Sequence, residues 1–174
     1  MATTATLNIS LSWSDTDTNN ANSTYSDIGS YICSRVFQTG NVYSNIGQLW
    51  HETRNLTSGE IRTYNMSALP VSIFSGSYNT NFSTIKLIYL ENLATGTGQN
   101  ISVYAIGLSG FSGIFNGNSG NILVPSKSPW VFMSYLTGIP TSATNNTLTI
   151  KDLGGVTGTG VPSGCQIRIG VFGI

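Results

Sequence analysis

Apolar residues in this chain return at every second position. No stretch of a dozen residues repeats them at the three- and four-residue spacing of a helix face. Successive side chains of a strand point to opposite faces of a sheet, so half-buried strands impose this period. Leu7-Asn8-Ile9-Ser10-Leu11-Ser12-Trp13 shows it with small polar residues between the apolar ones. Cys165-Gln166-Ile167-Arg168-Ile169-Gly170-Val171-Phe172 shows it again near the other end. Ile85-Lys86-Leu87-Ile88-Tyr89-Leu90 is apolar on both faces apart from Lys86, which suits a central strand covered on both sides. Further strands are predicted at 31–38, 48–53, 60–69, 101–106, 121–124, 129–136 and 147–150, with 101–106 the expected hairpin partner of 85–90. Segments 14–26 and 72–81 read as polar or turn-rich loops, and Pro70 is expected to stop a ladder. Eight to ten strands without helix make an all-β chain, an antiparallel β-sandwich of jelly-roll-like form.

A chain of 174 residues buries a proper core as one domain, and no repeat or linker divides it. Residues 1–22 are read as a strand plus an extended arm or loop. Seven basic and seven acidic residues cancel, so no strong field draws nucleic acid or an anionic membrane. Neither is expected as a partner. Charged residues are 8 % of the chain, against about 25 % in ordinary domains, and Ser, Thr, Asn and Gly take their place. Such a surface has little self-repulsion and favours association. No run approaches the roughly 20 apolar residues of a membrane span. Met1 to Thr6 shows no signal peptide, so synthesis in the cytoplasm, or removal of a leader, is expected.

Catalytic and metal chemistry finds little to stand on. His51 is the single histidine, so either a zinc site with Cys33 and Cys165 or a Ser-His-Asp triad would have to use it. Gly107-Leu108-Ser109-Gly110 lacks the second glycine of a nucleophile elbow at the right offset. Asp15, Asp17, Asp27, Asp152, Glu52, Glu60 and Glu91 could supply a glycosidase pair, yet no motif selects two of them. Asp15-Thr16-Asp17-Thr18-Asn19 begins like a calcium loop, then fails at Asn20 and Ser26. The Thr-Gly repeats at 95–98 and 157–160 lack a P-loop lysine and read as hairpin turns. No enzyme activity, metal or cofactor is expected, and the two cysteines are read as buried thiols. Seven Asn-x-Ser/Thr sequons fit the composition and imply no glycosylation. Most aromatic residues are read as core. The exception is Phe111-Ser112-Gly113-Ile114-Phe115, apolar side chains on a glycine-rich loop, poorly placed for the chain's own core. Phe111, Ile114, Phe115 and Trp13 are the candidate interface residues.

From Leu56 onward the order of elements resembles small β-sandwich proteins of tailed-phage virions and prophage regions. The resemblance runs through Leu56-Thr57-Ser58-Gly59, Tyr64-Asn65-Met66-Ser67-Ala68-Leu69 and Ile85 to Asn92. It continues through Val124-Pro125-Ser126, Pro129-Trp130-Val131-Phe132, Asn146 to Ile150, and Gln166 to Val171. Where such proteins commonly carry a Pro-Gly-Gly turn, this chain has Pro125-Ser126-Lys127. The resemblance covers about two-thirds of the chain and contains no catalytic motif. It implies a structural protein of the virion, assembled in the host cytoplasm, as a capsid decoration (cement) protein or tail component. The implied partners are further copies of itself, a trimer being the expected form, and other virion proteins such as the major capsid protein. A carbohydrate-binding lectin-like or receptor-binding module is the alternative.

Overall fold

The computed structural model describes residues 4–17, 25–38, 46–73, 76–96, 98–104, 114, 120–134, 137–143, 146–154 and 164–174. These residues form strands without a helix. In chain order the strands are β1 (Thr4–Asp17), β2 (Tyr25–Gln38), β3 (Gln48–Leu56), β4 (Ile61–Asn65), β5 (Leu69–Ile73), β6 (Gly76–Thr80) and β7 (Thr84–Asn92). There follow β8 (Ile101–Tyr104), β9 (Asn121–Val124), β10 (Ser128–Met133), β11 (Ile139–Pro140), β12 (Thr147–Asp152) and β13 (Cys165–Gly173).

Two sheets carry the body. Sheet I runs β10-β7-β13-β3, with short β11 also on β7, and sheet II runs β4-β12-β8-β9. All their ladders are antiparallel. Chain neighbours are seldom sheet neighbours: β13 lies between β3 and β7, and β12 between β4 and β8. The chain changes sheet at β3–β4, β7–β8, β9–β10, β11–β12 and β12–β13, and returns from sheet II to sheet I between β4 and β7 by way of the β5–β6 pair. This is the interleaved Greek-key order of a jelly roll, the all-β sandwich that the alternation predicts.

The core lies between the sheets. Register sets Trp50, Val171, Ile88 and Phe132 in one inward row of sheet I, with Ile169, Leu90 and Trp130 in the next. Sheet II answers with Tyr64, Leu148, Ile150, Val103, Ile101 and Val124, all buried. Each fully buried isoleucine or leucine contributes about 1.5–3 kcal/mol by leaving water. Lys86 is buried in β7 as well, and burial pulls its ammonium below the usual lysine range.

Three expectations are corrected. Segment 101–106 does not pair with 85–90, because β8 belongs to sheet II between β12 and β9. The connection itself decides this. Asn92, fully buried at the end of β7, donates through Nδ2 to the carbonyls of Gln99 (2.7 Å) and Val124 (3.2 Å). Its Oδ1 accepts the Ala94 N–H at 3.1 Å. Gln99 in turn donates to the Gly164 carbonyl at 2.7 Å and accepts the Gly96 N–H at 2.6 Å. These amides tie the crossing strands together where a tight hairpin would leave them unpaired. Thr95, Gly96 and Gly98 thus belong to a crossing between sheets.

Segment 60–69 is two strands. Asn65 Oδ1 accepts from the Ser67 N–H and hydroxyl at 3.0 and 2.7 Å, and this turn breaks the run. Pro70 then sits inside β5, opposite Asn79 of β6. A two-stranded hairpin has edges that need no donor, so proline is tolerated there. Trp50 Nε1 donates to the Pro70 carbonyl at 2.9 Å and ties this hairpin to sheet I.

Segment 14–26 is strand at both ends. β1 continues to Asp17 and β2 starts at Tyr25, so Asp15 stands opposite Asp27. Ladder hydrogen bonds are made by backbone, and polar side chains do not stop them. Residues 18–24, including Thr18 and Asn19 of the calcium-like run, lie outside the described residues. β1 and β2 thus form a ribbon of two 14-residue strands.

Candidate interaction surface

The outer faces of the two sheets differ in character. On sheet II the cross-strand rows are Thr63-Thr149-Tyr104-Asn121 and Ile61-Lys151-Ser102-Leu123. Thr63 and Thr149 share a hydroxyl hydrogen bond of 3.2 Å across the ladder. This face is polar, with apolar residues only at its ends. On sheet I the rows are Leu49-Phe172-Leu87-Met133, then His51-Gly170-Tyr89-Val131, then Thr53-Arg168-Glu91-Pro129. Its first two rows are nearly all apolar. Sheet I is thus apolar on both faces, and a sheet of that kind is normally covered on both.

On the ribbon, register puts Leu7 and Ile9 on the same face as Arg35. The other face carries Thr6, Asn8, Ser10 and Ser12 with Ser30, Ile32, Ser34 and Val36. Ser34 Oγ donates to Asn8 Oδ1 at 2.7 Å on that face. Ile9 remains 44 % exposed and Ile32 71 %. Among the described residues β1 and β2 pair only with each other.

Ribbon and sheet I meet around a cleft of about 540 Å³. Thr6 and Leu7 form its roof, and its floor includes Leu49, Leu87, Phe172, Tyr89 and Gly170. His51, Thr53 and Arg168 supply its polar side. Arg168 pairs with Glu91 at 3.1 Å, and Tyr89 donates its hydroxyl to the same carboxylate at 2.7 Å. Partial burial and that carboxylate push the Tyr89 phenol above its ordinary range.

The residues named from sequence are placed as follows. Phe111 and Phe115 lie outside the described residues, as does most of their loop. Ile114 is half-buried and packs against the chain's own core. Trp13 falls on the ribbon, opposite Gly29. Trp50 and Trp130 pack in the core. His51 lies on the outer face of sheet I, whereas Cys165, an odd number of residues from its partner Gly170, faces inward. Those two cannot share a metal.

Of the carboxylates, Glu52 and Glu60 flank one guanidinium, that of Arg54, at 3.6 and 3.5 Å. The Thr57 N–H donates to Glu60 Oε2 at 2.9 Å and chiefly holds that carboxyl below the usual range. A glycosidase acid needs the opposite shift. Tyr64 is buried beside this cluster, edge-on to Trp50 at 5.5 Å, and burial with the nearby Glu52 charge raises its phenol.

Cys165 is a free, buried thiol. Burial, then the Asp152 carboxylate beside it, push it up to about 12. Only the thiolate attacks disulfides, so the folded protein is expected to leave Cys165 unlabelled by a thiol reagent at pH 8. Its tryptic peptide should label only as fast as the protein unfolds. Rapid labelling of that peptide in folded protein would contradict this burial. Because the raised value favours the neutral form, this group's support for folding is complete below the unfolded thiol range and falls as pH rises through it.

The outward apolar residues of sheet I that sequence reading missed are Leu49, Leu87, Phe172 and Met133. Their signal was the adjacent apolar doublets Leu49-Trp50, Leu87-Ile88, Phe132-Met133 and Val171-Phe172. Register stacks these doublets into one row on each side of sheet I.

No protein-family model matches the chain, and no curated protein matches it either. A solved structure described as that of infectious bursal disease virus Gx strain aligns with a TM-score of 0.27 and 14 % identity. The alignment covers 99 % of this chain, which spans about half (52 %) of that one.

Proposed function

We infer that this chain is a non-enzymatic structural protein of a virion that acts by contact, as a decoration or cement protein holding a phage shell. The observation that carries the reading is a jelly roll whose two outer faces are opposite in kind. Jelly rolls recur in viral capsid and lectin domains, so the fold admits both. An apolar outer face on sheet I favours broad protein contact, because glycan sites need exposed aromatic rings set among polar groups. Trp50 and Trp130 pack in the core and are not available for that. The paired Glu52-Arg54-Glu60 cluster supports a role without catalysis. Few charges and many hydroxyls suit a protein that lies among other copies and beside a major capsid protein.

Purified particles test the reading. Mass spectrometry should find this chain in fixed ratio to the main shell protein. Particles lacking it should still assemble but release their genome at lower temperature. A chain found only in the unassembled fraction would overturn the virion role. Failure of shells to form at all would overturn the cement role.

A further inference from the structure

We propose that the cleft between the β1–β2 ribbon and the outer face of sheet I binds an amphipathic monocarboxylate, a medium-length acyl chain with its acid head at Arg168. The inference goes beyond the contact role and does not rest on it.

The cleft is complete within one copy. Ribbon and sheet meet at Thr6 and Leu7, and most of the outer face of sheet I is covered. Leu87 is 5 % exposed, and Tyr89, Val131, Met133 and Phe172 are half-buried. What stays open is about 540 Å³ above the middle of β13. Small-molecule sites occupy roughly 300–1,000 Å³ and set a few polar groups in a mainly apolar lining.

Gly170 carries the inference. It sits inside β13 between Ile169 and Val171, where a glycine weakens the strand. Its neighbours do not demand it, because a Cβ would meet the Phe172 ring at 3.4 Å and the Trp50 carbonyl oxygen at 4.0 Å, both ordinary contacts. Its backbone does not demand it either, since Gly170 is not among the glycines with positive φ. The missing side chain instead leaves the floor of the cleft open between His51 and Tyr89. Glycine in a strand interior often marks such a close approach by a ligand.

Three outward rows grade the cleft from apolar to charged. Phe172 lies with Leu49 and Leu87, Gly170 with His51 and Tyr89, and Arg168 with Thr53. Along β13 these rows span roughly 14 Å at ~3.4 Å per residue, about the length of an extended ten-carbon chain. A chain laid there buries its methylenes on Phe172 and the leucines, under Leu7, and brings its carboxylate to Arg168. Arg168 gives Nη1 to Glu91 at 3.1 Å, and a guanidinium has further N–H donors for a second carboxylate. Glu91 also accepts the Tyr89 hydroxyl at 2.7 Å, so two donors already match its charge. Thr53 and His51 add hydrogen-bonding groups at the same end. On the ribbon, Leu7 and Ile9 share their face with Arg35, so the described residues of that face bring no carboxylate against an acid head.

Isothermal titration of the full chain with decanoate, decanol and decylamine, each below its micellar concentration, tests this. Decanoate should bind saturably at one molecule per chain, about tenfold more tightly than decanol, with decylamine weaker still. Arg168→Gln should lower the affinity for decanoate to that for decanol and leave decanol binding unchanged. Gly170→Leu should fill the floor and weaken both ligands about tenfold or more. Leu123→Lys, on the outer face of sheet II and 55 % exposed, should leave both as in the wild type. Hydrogen exchange on the wild type gives a readout free of substitutions: decanoate should protect peptides covering 4–17 and 165–173 more than those covering 147–152. Absence of saturable decanoate binding overturns the proposal. So does decanol or decylamine binding as tightly as decanoate, or a Gly170→Leu protein that melts with the wild type and binds decanoate equally well. No added protection in the two peptides overturns it whatever the variants do.

Discussion

Replacing Asn92 with leucine is expected to lower the unfolding free energy by about 4 kcal/mol, although the two side chains have nearly the same shape. Leucine keeps the packing volume at the end of β7 and removes three hydrogen bonds at once. The carbonyls of Gln99 and Val124 lose their shared donor, and the Ala94 N–H loses its acceptor. All of these sit beside a side chain with no exposure, so water does not simply replace the amide. Each orphaned buried group costs about 1–3 kcal/mol, and domains of this kind have only about 5–15 kcal/mol in total. The consequence reaches beyond β7, because the same amide holds the crossing from sheet I to sheet II. Urea denaturation followed by circular dichroism checks it: the midpoint should fall sharply while the slope stays unchanged. A midpoint within error of the wild type would mean that the crossing is held by something else.

Asn92 also shows where sequence reading reaches its limit. The period of two identified β12 and β13, and a short run apolar on both faces identified β7, because the pleat imposes these patterns and they need only local information. β13 lies between β3 and β7. Strand partnership was not legible. Nothing in the sequence sets Asn92 and Gln99 apart from the chain's other polar residues, and only their buried amides reveal a crossing between sheets. The same holds for the ribbon, where polar residues 14–17 read as loop but continue the ladder. The interaction surface was half legible. Adjacent apolar doublets announce strands that are apolar on both faces. That Leu49, Phe172, Leu87 and Met133 fall into one row depends on register across strands distant in sequence.

Two glycines three residues apart on β13 should respond in opposite ways to the same added methyl group. Gly173 lies against β7, where a Cβ would collide with the Thr84 carbonyl oxygen and come within 2.9 Å of the Phe82 ring. Backbone there cannot yield cheaply. Thr84 O already accepts the Ile174 N–H at 3.0 Å, and Ile174 O accepts from Ser83 and Thr84 at 2.6 and 2.9 Å. To admit the methyl, the end of β13 must lift from β7 and give up these bonds, so Gly173→Ala should cost about 4 kcal/mol from overpacking and lost pairing combined. Gly170 faces outward between His51 and Tyr89, and a Cβ there meets the Phe172 ring at 3.4 Å and the Trp50 carbonyl oxygen at 4.0 Å, both ordinary contacts. Alanine is better suited than glycine to a strand interior by about 0.5–1 kcal/mol, so Gly170→Ala should melt at or above the wild-type temperature. The same methyl lies on the floor of the cleft over sheet I and leaves the fold intact. Thermal melts of the two variants side by side separate these effects. A Gly170→Ala protein that melts as far below the wild type as Gly173→Ala would contradict the outward placement of Gly170.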